Sequence, residues 1–177
     1  MNIVLIGYRC SGKTTVGKIL AQDMKRDLMD TDRLIEEKTK LSIPLYVSQK
    51  GLNHFRELER EIIRELATQD NLVIGTGGGV VMDRENVQNL KRNGWIVWLK
   101  AEAPVIRERM RCEEQRGETR PSLSGADPLE EIDGILDERT KFYARANDFE
   151  VETSGQSPGE VAHAIIKALP ESLKAIG

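Results

Sequence analysis

Residues 7–14 read Gly7-Tyr8-Arg9-Cys10-Ser11-Gly12-Lys13-Thr14, the pattern G-x-x-x-x-G-K-[ST]. Glycines let successive backbone N–H groups turn inward around phosphate oxygens, Lys13 can reach β- and γ-phosphates, and the Thr14 hydroxyl can ligate Mg²⁺. Arg9, Cys10, Ser11, Gly12 and Thr15 make up the rest of the candidate phosphate-binding loop. The setting is the one this chemistry needs. The apolar run Ile3-Val4-Leu5-Ile6 precedes the loop, and a helix-like stretch from Val16 to Met24 follows, so a helix N-terminus points at the anion. A glycine-rich turn followed by a chance Lys-Thr is the plain alternative. The strand–loop–helix context favours a nucleoside triphosphate site.

Three further constellations could complete a phosphoryl transfer. Asp30-Thr31-Asp32 follows the second strand candidate. On an extended backbone its two carboxylates share a face, one for a metal and one for an acceptor hydroxyl. The competing reading is a helix start in which Thr31 or Asp32 caps Arg33–Thr39. Gly75-Thr76-Gly77-Gly78-Gly79 follows the third strand candidate. Consecutive glycines are conformationally costly, which suggests a close approach to the backbone, with a simple tight turn as the alternative. Arg56, in Phe55-Arg56-Glu57-Leu58-Glu59, and Arg139, in Asp137-Glu138-Arg139-Thr140-Lys141-Phe142-Tyr143, are singly just exposed helix arginines. Converging, their planar forks would grip a carboxylate or phosphate. His54 and His163 read as non-catalytic. Trp95 and Trp98 read as core, and the charge run Arg107–Arg116 as a solvated helix face.

Short apolar runs alternate with longer amphipathic ones and position these groups. Strands are expected at Asn2–Ile6, Asp27–Met29, Leu72–Ile74, Trp95–Leu99 and Phe149–Val151. Leu52, Phe55, Leu58, Ile62, Ile63 and Leu66 mark one helix face. Asp83 suits an N-cap for a helix running to Lys91, with Asn93-Gly94 ending it. Ser157-Pro158 suits the start of the last helix, with Pro at N1 and Glu160 in the first turn. The alternation implies an α/β fold, a parallel sheet covered on both faces with ligands at its carboxyl edge. Glu113 to Asp127 breaks the pattern. It is polar, carries Gly and Pro, and contains Arg116 and Arg120, which suits a lid closing over phosphates or else a mobile surface loop.

The chain has 177 residues, 31% charged and 39% hydrophobic, with a formal net charge of −3. These values suit one domain with a sizeable core, and neither a nucleic-acid nor a membrane partner is favoured. With no export signal expected, a cytoplasmic protein with free Cys10 and Cys112 follows.

Taken together, the motifs resemble the shikimate kinases, from Asn2 to about Leu169. The resemblance rests on the phosphate loop, Asp30-Thr31-Asp32, Phe55-Arg56-Glu57-Leu58-Glu59, Gly77-Gly78-Gly79, Arg120-Pro121, and Arg139 followed four residues later by Tyr143. It implies a single P-loop domain, residues 1–177, of the nucleoside-monophosphate-kinase type. Its five-stranded parallel sheet would have the order 2-3-1-4-5, with a shikimate-binding subdomain at 31–60 and a mobile lid at 112–127. The implied reaction moves the ATP γ-phosphate to the 3-hydroxyl of shikimate, with Mg²⁺, in chorismate and aromatic amino acid biosynthesis. The implied roles are as follows. Lys13 and the loop bind ATP phosphates, and Thr14 and Asp30 hold the metal. Asp32 orients or deprotonates the acceptor hydroxyl. Arg56 and Arg139 grip the carboxylate while Gly77, Gly78 and Gly79 close on the ring. Arg120 reaches the transferring phosphate, so that Lys13, Asp32 and Arg120 are the catalytic set. Arg109 and Pro158 flank adenine. A monomer is the simplest expectation.

The chain departs from the family pattern at several places. Cys10 and Lys40 stand where glycine is usual, Leu52-Asn53 replaces a commonly acidic pair, and the lid reads Arg-Pro-Ser-Leu-Ser-Gly. None removes a residue with a chemical role. Cys10, beside Lys13 and a helix N-terminus, is either an oxidation-sensitive thiol or an inert small residue. A gluconate or nucleotide kinase is the nearest rival, and a nucleotide-dependent switch the rival from another class. The triple glycine and the Phe55-Arg56 helix favour shikimate over gluconate. A switch would need neither Asp32 nor converging arginines.

Overall fold

Ile3, Val4, Leu5 and Ile6 are all fully buried, because the strand they form has neighbours on both edges and helices on both faces. The structure is a computed structural model and describes residues 1–115 and 127–174. In chain order the elements are β1 (Asn2–Ile6), α1 (Lys13–Asp23), β2 (Asp27–Asp30), α2 (Thr31–Thr39), α3 (Ile43–Lys50) and α4 (Leu52–Ala67). There follow β3 (Leu72–Gly75), a 3₁₀ turn (Val80–Met82), α5 (Arg84–Arg92), β4 (Gly94–Lys100) and α6 (Ala103–Gln115). The chain then forms α7 (Ile132–Ala146), β5 (Phe149–Glu152), α8 (Pro158–Ala168) and α9 (Glu171–Lys174). The strands pair in the order β2-β3-β1-β4-β5, every pair parallel. That is the expected order.

The period-two geometry of β1 divides the core. Val4 and Ile6 pack with Ile63, Ile74, Leu90 and Ile96 under α4 and α5. Ile3 and Leu5 pack with Val16, Leu20, Val161 and Ile165 under α1 and α8. A third cluster joins Tyr8 to Ile106 and Met110 of α6 and to Ile132 and Ile135 of α7. Trp98 is buried and stacks on Tyr143 with ring centroids 5.6 Å apart, and Trp95 stacks on Phe149, so both tryptophans are packing residues. His54 and His163 are exposed.

Several expected boundaries move. Asp30, rather than Thr31 or Asp32, caps α2, accepting from the N–H groups of Asp32 and Arg33. Leu52 is 55% exposed and leaves the apolar face of α4, whose N-terminus overhangs the core. Asp83 caps α5 as expected, but Gly94 opens β4 rather than closing the helix. A Cβ there would stand 2.5 Å from Leu90 O and 2.8 Å from Val4 Cγ2. Ser157 and Glu160 form a full capping box with Pro158 at N1, yet α9 follows, so α8 is not the last helix. Cys112 to Gln115, the first residues of the expected lid, are the last turn of α6. Residues 116–126, with Arg116 and Arg120, lie outside the described residues. No described helix is long and apolar enough to cross a membrane.

Candidate active site

The phosphate loop joins β1 to α1 at the carboxyl edge of the sheet. Gly7 (φ 145°) and Gly12 (φ 99°) take conformations that favour glycine, and Gly12 caps α1. Gly7 is also pressed close, since a Cβ there would lie 2.5 Å from Leu99 O and 2.8 Å from Ser11 Oγ. Lys13 Nζ donates to Gly7 O (2.9 Å) and Tyr8 O (2.7 Å), so the ammonium lies across its own loop. Thr14 and Thr15 are exposed on the first turn of α1, and Ser11 is buried. Cys10 has φ 58°, which explains why glycine suits that position. Its Sγ donates to Glu113 Oε2 at 3.3 Å, so a carboxylate stands among its neighbours.

The run after β3 gathers the remaining groups. A Cβ on Gly77 would lie 2.6 Å from Asp32 Oδ1, one on Gly78 would lie 3.6 Å from Arg139 Nη1, and one on Gly79 would lie 2.9 Å from Arg56 Nη2. None of the three glycines has a positive φ; the close approach of side-chain ends is what favours glycine at 77 and 79, while a Cβ on Gly78 would make only ordinary contacts. Three side chains from α2, α7 and α4 thus lie in order against three consecutive residues. The phosphate loop touches the same run, with Gly7 O 3.5 Å and Arg9 N 3.6 Å from the Gly78 position. Asp32 reaches this place from the first helical turn, not from an extended strand, because Asp30 has already turned the chain. Thr31 Oγ1 accepts from Gly77 N–H at 3.0 Å and Tyr143 Oη donates to Gly78 O at 2.6 Å, tying the run to α2 and α7. Burial pushes the Tyr143 phenol up to about 12, so it stays a donor at working pH.

Glu59 and Glu131 were not assigned roles from sequence. Glu59 is 2% exposed and both its oxygens accept from Arg56 Nη1, at 3.0 and 2.8 Å, with Asn86 Nδ2 as a further donor. Burial raises its carboxyl, against the pull of Arg56. A buried acid three residues after Arg56, among apolar positions of one helix face, was a usable signal. Glu131 accepts from Arg9 Nη2 at 2.8 Å across 122 residues of chain, and no local pattern announces that pair.

On the other side of the loop, Cys10, Gly12, Thr15, Arg109, Cys112, Thr153 and Pro158 line a cleft of about 420 Å³. Arg109 donates to Cys10 O (3.1 Å), Thr153 Oγ1 (3.1 Å) and Thr153 O (2.9 Å). Arg107 pairs with Asp133 and donates to Leu129 O, so two members of the charge run expected to be solvated are structural.

The residues present fit a magnesium ion carried with nucleotide. Among the described residues, no three His, Cys, Asp or Glu gather as a metal cage. Asp30 uses Oδ1 as the α2 cap, while its Oδ2 has no donor among the described residues and sits by Gly75. One carboxylate oxygen and one hydroxyl, completed by phosphates and water, is how Mg²⁺ is usually held.

A doubly covered parallel sheet, a glycine loop opening onto a helix, and an acid and two arginines beside that loop define a P-loop small-molecule kinase. The family model "Shikimate kinase" matches residues 9–170. Shikimate kinase from Symbiobacterium thermophilum is 39% identical over 171 residues, covering 97% of each chain. That from Thermodesulfovibrio yellowstonii is 41% identical over 166 residues, 94% of this chain and 93% of the other. The structure of shikimate kinase from Acinetobacter baumannii in complex with shikimate superposes with a TM-score of 0.85 at 31% identity, covering 94% of this chain and 90% of that one. The chain belongs to the shikimate kinase family, and its activity is the family's, ATP-dependent phosphorylation with Mg²⁺.

Proposed function

We propose that the chain transfers the γ-phosphate of ATP to the 3-hydroxyl of shikimate, held on the glycine run between Asp32, Arg139 and Arg56. The observation that carries this reading is the stacking of those three side chains on Gly77, Gly78 and Gly79, beside the phosphate loop. A ring with one carboxylate and several hydroxyls suits two arginines and one acid. Arg56 and Arg139 take the carboxylate, which sets the ring's orientation, and Asp32 accepts a hydrogen bond from the attacking hydroxyl and directs its oxygen at the γ-phosphorus. Glu59 holds Arg56 in place, and Tyr143, donating to Gly78 O, holds the glycine run.

Lys13, the loop amides and Thr15 hold the phosphates, with adenine lodged against Arg109 and Pro158 in the cleft. When bound between Thr14 and Asp30, Mg²⁺ supplies charge neutralisation on the phosphates. Residues 31–60, which form α2, α3 and the start of α4, serve as the acceptor subdomain, and residues 112–127 as the lid carrying Arg120 over the transferring group. We place the chain in the cytoplasm and read it as a monomer. Release of ADP from Mg-ATP, measured with shikimate, gluconate and nucleoside monophosphates as acceptors, tests the reading. Release that requires shikimate supports it, and release with another acceptor removes it.

A further inference from the structure

Asn86 lies on the first turn of α5 and is fully buried. Burying an amide costs free energy unless its polar atoms are met. Among the described residues its side chain makes one hydrogen bond, from Nδ2 to Glu59 Oε2 at 3.3 Å, and its Oδ1 is buried without a partner. An apolar side chain of the same shape would avoid that cost, so the stability of α5 does not account for an amide here. The acid it meets does. Both oxygens of Glu59 accept from Arg56 Nη1, and Arg56 Nη2 lies 2.9 Å from where a Cβ on Gly79 would stand. Asn86, Glu59 and Arg56 thus form a chain of contacts from α5 to the glycine run.

The start of α5 is pinned for this contact. Asp83 Oδ1 accepts from the backbone N–H groups of Glu85 and Asn86, and Asp83 Oδ2 accepts from Arg60 Nη1 at 2.9 Å. Arg60 follows Glu59 on α4, so the cap ties the turn bearing Asn86 to the turn bearing Glu59. The charged groups acting on Glu59 are Arg56 on its own helix, Asp83 at the start of α5 and Arg139 on α7. Burial and Asp83 favour the neutral acid, while Arg56 and Arg139 favour the carboxylate. An amide N–H aimed at the carboxylate adds to the second side.

We propose that Asn86 is a positioning residue for the acceptor, its amide holding the Glu59 carboxylate against Arg56 so that Nη2 stays presented over Gly79. The inference rests on the reading that Arg56 grips the acceptor carboxylate.

The test measures kcat and the KM for shikimate from about pH 5 to pH 8 in wild type, Asn86→Leu, Glu59→Gln, the double variant, Arg56→Lys and Leu90→Ala. Leu90 is a buried apolar residue of the same helix and serves as the control for loosened packing. Asn86→Ala accompanies Asn86→Leu in case leucine does not fit, and both should move the same way. In wild type, KM should rise towards acid as Glu59 takes a proton and releases Arg56. Asn86→Leu should raise KM about fivefold at neutral pH with kcat within about twofold, the effect of losing one bond to a charged group. It should also move the acid-side rise upward by about one pH unit, because the ionised form has lost a donor. Glu59→Gln should remove the rise, and Asn86→Leu should add nothing in that background. Leu90→Ala should lower Tm and leave the rise where it is in wild type. A wild-type KM profile in Asn86→Leu, beside a weakened Arg56→Lys, overturns the inference alone. An equal displacement in Leu90→Ala, or a rise that persists in Glu59→Gln, also overturns it. A normal KM in Arg56→Lys overturns the acceptor reading and the inference with it.

Discussion

Asp32 Oδ1 lies 2.6 Å from where a Cβ on Gly77 would stand, although the two are 45 positions apart with α3 and α4 between them. The bare backbone of Gly77 is what admits the carboxylate. Gly77→Ala therefore meets the end of a side chain, which can swing away, rather than the core. We expect a folded protein, with Tm within about 3 °C of wild type. We also expect kcat to fall about 10²-fold, the effect of displacing a positioned group by roughly 1 Å. Full activity in that variant would remove Asp32 from the chemistry.

Arg56 is aligned by Glu59 through one guanidinium nitrogen, which leaves Nη2 directed at Gly79. Arg56→Lys cannot make a two-pronged contact, so KM for shikimate should rise about tenfold with kcat changed less. Glu59→Gln should act in the same direction by loosening the arginine. Steady-state kinetics on both variants checks this, and an unchanged KM in both would exclude Arg56 from the carboxylate clamp.

Arg120 is expected to act on the transferring phosphate. Arg120→Ala should then lower kcat about 10³-fold, the lower range for an arginine that stabilises phosphoryl transfer, while the KM for shikimate moves little. Weaker binding at unchanged turnover would contradict that role.

Lys40 closes α2 with φ 57°, its N–H donating to Glu36 O. A left-handed cap of this kind is where glycine relieves steric cost, so Lys40→Gly should stabilise the fold by about 1 kcal/mol. Urea denaturation measures it, and a destabilised variant would show that the lysine side chain contributes packing worth more than the strain.

Asp83 caps α5 and pairs with Arg60 at 2.9 Å. Burial works to raise its carboxyl, but the Arg60 bond and the two backbone N–H groups outweigh it and hold the group below the ordinary 3.8. A depressed acid stabilises above its unfolded pKa, and the contribution disappears as pH falls through the lower, folded value. Asp83→Ala should cost about 1 kcal/mol at neutral pH, as for other lost N-caps. The gap from wild type should narrow only below pH 3.8. Denaturation curves between pH 2 and 7, compared for the two proteins, would reveal a pH-independent gap if the cap were not ionised.

The parts readable in one dimension were those whose cause is local. The phosphate loop, the five strands and the caps at Asp83 and Ser157 each depend on a few adjacent residues: glycines for backbone freedom, apolar runs for burial, short polar side chains for orphan N–H groups. Asp32 was read on an extended backbone, but Asp30 both ends β2 and caps α2, so Asp32 lies in a helical turn, and strand ends and helix caps use the same residue types. The meeting of Asp32, Arg139 and Arg56 on Gly77, Gly78 and Gly79, the Arg9–Glu131 pair and the burial of Tyr8 were decided by tertiary packing. They depend on which strand ends lie side by side and which helix faces turn inward. Those are set by the summed packing of the two sheet faces rather than by any short segment. Chemistry was legible because residue type dictates it, whereas orientation needed the assembled sheet.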